Sequence, residues 1–95
     1  MKTLKKIIVK DPKSVCPAEI SIKQATVCEN YKDPMHGISD GKMHMVYPES
    51  KDNIGTIYLI ENEKNVFVEA GISIRNGSHF INFNLCADEF EVIVA

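Results

Sequence analysis

Between Glu63 and Leu85 the chain alternates apolar and other residues with a period of two, and this stretch constrains the fold more than any other. Val66, Val68, Ala70, Ile72 and Ile74 alternate with Phe67, Glu69, Gly71, Ser73 and Arg75. Asn76-Gly77 follows, and Ile81, Phe83 and Leu85 then alternate with Phe80, Asn82 and Asn84. Successive side chains of a strand point to opposite faces, so the pattern describes strands with one buried side. Asn-Gly between two such runs suits a type I′ turn, whose central residues both need positive φ. The stretch is therefore expected to be a β-hairpin. Ile72, Ile74, Ile81 and Phe83 fall on its buried face, and Phe67 and Phe80 on the other.

The same period recurs along the chain. Leu4 to Val9 reads as a strand ended by Asp11-Pro12, and its lysines would guard a sheet edge. Lys42 to Tyr47 reads as a strand stopped by Pro48, with Met43, Met45 and Tyr47 inward and His44 outward. Glu49 to Asn53 is a polar turn, Ile54 to Ile60 a strand, and Phe90, Val92 and Val94 form a closing strand. Ala18 to Cys28 admits two readings. Pro17-Ala18-Glu19 resembles a helix start. Wound as a helix, however, the segment puts Ala18, Ile22 and Ala25 on one side and Ile20, Val27 and Tyr31 on the other, leaving no polar face. As a strand it alternates, with a bulge near Gln24. The strand reading is preferred, and a helix near residues 17–31 is the alternative. Residues 30–41 are dense in turn formers and are expected to be the longest loop, the kind that carries function.

About seven short strands with regularly spaced turns predict an all-β fold, a small antiparallel sandwich or open barrel with a C-terminal meander. A single α+β alternative keeps one helix near residues 17–31. Residues 1–95 are expected to form one compact domain, since 44% apolar and 25% charged residues are ordinary for a globular chain. Apolar runs are too short for a transmembrane helix, and Ile7-Ile8-Val9 is too short for a signal peptide, so a cytoplasmic address is expected. The odd count of three cysteines, Cys16, Cys28 and Cys86, favours reduced thiols in the core.

Charge is uneven around a net of −2. Residues 1–13 carry net +4 and residues 49–95 carry net −5. Arg75 is the single arginine, which argues against sequence-specific nucleic-acid recognition. The acidic second half suggests an acidic surface.

Motifs for chemistry are sparse. No phosphate-binding glycine loop and no flanked nucleophile is present. Glu61/Glu63 and Glu89/Glu91 each share a strand face and read as solvated pairs. Gly71 reads as a bulge or bend. Met35-His36 and Met43-His44-Met45 offer soft and imidazole donors, so His36, Met43 and Met45 could hold Cu(I). Met43 and Met45 as gap-filling core residues is the simpler account.

These observations predict a small, non-enzymatic protein-binding module without a cofactor. Its candidate contact residues are Tyr31, Tyr47, Tyr58, Phe67, Glu69, Phe80, Glu89 and Glu91, because aromatics dominate interface energetics and acids steer a basic partner. Size and charge suit an inhibitor or adaptor of the mobile-element type, acting on a basic or nucleic-acid-binding host protein. The alternatives are a Met/His copper-binding protein and a single-stranded nucleic-acid-binding β domain, the latter through Lys5, Lys6 and Lys10. Sheet edges also allow a homodimer.

Overall fold

The computed structural model describes residues 3–50 and 52–95. Lys2 of the basic opening stretch and Lys51 of the expected Glu49–Asn53 turn lie outside them. Seven strands follow one another: β1 Leu4–Val9, β2 Glu19–Asp33, β3 Ile38–Pro48, β4 Ile54–Glu61, β5 Phe67–Asn76, β6 His79–Cys86 and β7 Phe90–Val94. The all-β expectation holds, and residues 17–31 contain strand, not helix. Each strand pairs antiparallel with its neighbours in one sheet of order β6-β5-β4-β3-β2-β1-β7.

Curling of the sheet follows from its connections. β6 and β7 stand at opposite ends of the strand order, yet only residues 87–89 join them. Its two edges must therefore come together at that corner. Curling also gives the sheet an inside. Ile7, Val9, Ile20, Ile22, Val46, Ile57, Leu59, Ala70, Ile72, Ile74 and Phe90 form a single buried cluster drawn from six strands. Ile7, Ile57, Leu59 and Ile72 have under 2% of their surface exposed. Burial of each such side chain contributes about 1.5–3 kcal/mol.

β2 is where the sheet turns. Its residues 19–21 pair with β1, and from Ile22 onward it pairs with β3. The register shifts between Ile22 and Gln24, so the bulge expected near Gln24 falls where the strand changes partner. Bulges bend a strand and increase its twist.

Several expectations are corrected by this arrangement. The meander runs from β1 to β6, and β7 leaves it to return beside β1. β1 is thus flanked on both sides, and its lysines guard no edge. Residues 30–41 are mostly ladder; β2 continues to Asp33, and β3 starts at Ile38 after one short turn, Pro34–His36. The longest connection is instead residues 10–18, which tucks Cys16 into the core cluster. Cys28 and Cys86 are exposed, against the expectation of core thiols, and all three are free.

The central hairpin forms, but its turn is displaced by one residue. Asn76 pairs with His79, leaving Gly77-Ser78 as the two-residue loop. Gly77 has φ +69°, and neither Asn76 nor Ser78 has a positive φ. Glycine at the first central position is the type II′ pattern rather than I′. A second register shift, between Ile60 and Glu61, turns Phe67 to the inner side. There it packs against the core and meets the His44 ring, 5.4 Å between centroids.

Candidate binding surface

Alternation in β3 runs opposite to the expected phase. His44 and Val46 are buried on the inner side, while Met45 and Tyr47 are 37% and 42% exposed on the outer side. A partner reached only through the fold makes this tolerable. His44 Nε2 lies 2.8 Å from Glu61 Oε1, and both side chains are buried. Glu61 is therefore not half of a solvated pair. His44 Nδ1 is buried without a hydrogen bond.

On the outer side, cross-strand register assembles a grid. Met45, Tyr58, Gly71 and Asn84 form one row across β3 to β6, and Met43, Ile60, Glu69 and Cys86 the next. Ser73 pairs with Asn82 and Arg75 with Phe80. Thr56, Tyr58, Gly71, Ser73, Asn82 and Asn84 line a shallow groove of 260 Å³. Tyr58 lies flat over Gly71: a Cβ there would stand 1.9 Å from Tyr58 Cε2. The register is unbroken at this glycine, so it marks a close approach and not the bulge expected of it. Phe80, 52% exposed, lies over Gly55 and under the Arg75 guanidinium, 5.6 Å from its ring centre. Between Glu69 at one end and Arg75 at the other, the face carries aromatic, Met, Thr, Ser and Asn side chains and no formal charge.

The β2–β3 hairpin tip folds back over one end of this face. Asn30, with φ +59°, sits in a register shift that turns Tyr31 and Asp33 outward. Pro34 opens the short turn, and Gly37, φ +68°, closes it. His36 Nδ1 lies 2.6 Å from Asp33 Oδ2, and its Nε2 lies 2.8 Å from Glu69 Oε1 on β5. Tyr58 O–H donates to the other Glu69 oxygen at 2.6 Å. Glu63, in the β4–β5 turn, accepts from the Ser39 and Asp40 backbone N–H groups at 3.1 Å each. Ile60 faces outward between Met43 and Glu69, yet only 2% of it is exposed.

Electrostatics in the tip follow from these contacts. The Asp33 hydrogen bond raises the His36 pKa, and the same bond holds Asp33 below the usual carboxylate range. Burial, then the Glu69 hydrogen bond, push Tyr58 up to about 12. Burial and the Asp33 charge raise Tyr31. Hydrogen bonds from the Asp40 and Ser39 backbone lower Glu63. Both ring nitrogens of His36 face carboxylates, so the ring clamps Asp33 to Glu69 when it is protonated.

Of the residues singled out in the sequence, Tyr31, Tyr47, Tyr58, Glu69 and Phe80 come together on the outer face. Phe67 is on the inner side. Glu91 lies on β7 at the other end of the strand order, and Glu89 lies in the β6–β7 turn, where its Oε1 accepts the Cys86 N–H at 2.8 Å. Met43 and Met45 share the outer face, but His36 turns to Asp33 and Glu69. Sequence reasoning missed Met45, Thr56, Ser73, Asn82 and Asn84 as parts of the face. Their alternation opposite the apolar positions was the available signal. Comparison with family models, with curated proteins and with solved structures finds no match for this chain.

Proposed function

We propose that this chain is a non-enzymatic protein-binding module that docks through the outer face of β3 to β6. The observation that carries the reading is the composition of that face. Tyr47, Tyr58, Phe80, Met45 and Arg75 are exposed or half-buried there among uncharged polar residues. Buried centres of protein interfaces are enriched in aromatic residues, Met and Arg and depleted in Lys, Asp and Glu. Tyr and Arg are also the residue types that carry most binding energy when desolvated. Glu69 stands at one end of the face and would steer a partner with a basic surface. Inhibition of, or adaptation to, a host nucleic-acid-binding protein in the cytoplasm is the role that suits this size and charge.

Affinity capture from cells of the source tests the reading, with the wild type beside a Tyr47→Ser, Phe80→Ser variant of matched thermal stability. A stoichiometric partner should be retained by the wild type and lost by the variant. Identical capture by both would refute docking through this face.

A further inference from the structure

We infer that β6 is a self-pairing edge, joining two copies of this chain antiparallel about a two-fold axis through Asn82. This inference does not depend on the docking face proposed above. β6 ends the sheet, and all eight of its residues, His79 to Cys86, hold unbroken register with β5. It contains no Lys, Arg, Asp, Glu, Pro or Gly. Exposed edges are ordinarily blunted by such charges, by proline, by bulges or by short length. β6 uses none of these devices. The opposite edge, β7, is five residues long and carries Glu91.

Hydrogen-bond parity fixes what the edge offers. Asn76 and His79 flank a two-residue turn and so form a hydrogen-bonded pair. Bonded and non-bonded pairs alternate along an antiparallel ladder. His79, Ile81, Phe83 and Leu85 therefore aim their backbone groups at β5. Phe80, Asn82, Asn84 and Cys86 aim theirs at the edge. Cys86 agrees with this assignment, since its N–H and C=O are both bonded to Glu89. Among the described residues no backbone bond reaches Phe80, Asn82 or Asn84 from that side. Asn82, Phe83, Asn84 and Leu85 line a cleft of 220 Å³ together with Val9, Asp11, Lys13 and Cys16 of β1 and the β1–β2 connection.

A second copy satisfies all of these groups in one register. With Asn82 opposite the second copy's Asn82, Phe80 falls opposite Asn84 and Asn84 opposite Phe80. Every free N–H and C=O on the edge then has a partner. On the inner side Ile81 meets the second copy's Phe83, and Phe83 meets its Ile81. Such apolar cross-strand pairs are favourable, and no like charges are opposed. In this register the side chains of β6 complement themselves on both faces, which favours a second copy. Such a two-fold contact is isologous and closes at two copies.

Sedimentation velocity over a range of concentrations tests this with three proteins: the wild type, Asn82→Lys and Asn82→Asp. Asn82 is exposed on the outer side and its N–H faces away from β5, so both variants should keep the wild-type circular dichroism spectrum. The wild type should sediment at the two-chain mass and each variant at the one-chain mass, because each opposes like charges at the axis. An equimolar mixture of the variants should return to the two-chain mass, as opposite charges then meet. A wild type that stays at the one-chain mass throughout overturns the inference and leaves the edge to a strand from another protein. Variants that remain dimeric alone overturn it as well, since the contact would then lie elsewhere.

Discussion

His36 can hold Asp33 and Glu69 together only while both ring nitrogens carry protons, because each faces an acceptor. Its pKa is raised, so the clamp contributes fully below the ordinary imidazole range and is lost as pH rises through the raised value. Asp33 is lowered, so its contribution is present above the ordinary carboxylate range and is lost as pH falls through the lowered value. The tip should therefore be best ordered between those two limits. Backbone ¹⁵N relaxation should show residues 35–37 growing more mobile as pH rises through the imidazole range. In His36→Gln they should be mobile on both sides of that range; an ordered, pH-independent tip in the wild type would contradict the clamp. Gly71 poses a steric constraint instead. Gly71→Ala would drive a methyl group into the Tyr58 ring and strain its bond to Glu69. A loss of about 1–3 kcal/mol is expected in urea unfolding. The same substitution in a Tyr58→Ala background should cost much less, since the clash is gone.

Strands were legible wherever a period of two met a one-sided core, as in Ile72, Ile74, Ile81 and Phe83. Phase was not legible where a distant partner decided it. Hydropathy turns Met43 and Met45 inward and His44 outward, but Val46 shares the His44 face and Glu61 supplies the polar contact from β4. Phe67 was misplaced because one register shift moves it to the other face, as a single-residue slip always does. Turn formers in residues 30–41 concealed a ladder whose tip is held by Glu63 and Glu69, both far along the chain. The candidate surface was half legible: Tyr47, Tyr58 and Phe80 were visible as outward aromatics, whereas their adjacency depends on strand order. The buried pair joining β3 to β4 has its own consequence. Glu61→Ala should lose about 1–3 kcal/mol in chemical denaturation by leaving His44 Nε2 unsatisfied inside. The double variant His44→Leu, Glu61→Leu should be less destabilised than Glu61→Ala, because it buries no unpaired polar group. A double variant at least as destabilised as Glu61→Ala would overturn this account of the pair.

At the scale of the molecule, β7 is what turns a meander into a curled sheet with an inside. Phe90, 4% exposed, sits in the core cluster at the corner where the two ends of the strand order meet. Phe90→Ala should cost about 3–5 kcal/mol. Hydrogen exchange in β3 and β4 should accelerate by the same factor as in β7, since one cluster spans them. Acceleration confined to β7 would show it to be a detachable appendage. The pairing of β1 with β7 also sets a timetable for synthesis. A nascent chain leaves the ribosome from its N-terminal side at roughly 5–20 residues per second, so Leu4 to Val9 emerge long before their second neighbour exists. Until Phe90 to Val94 follow, Ile7 has a flank open to water, and any helper that shields newly made segments would find its target there.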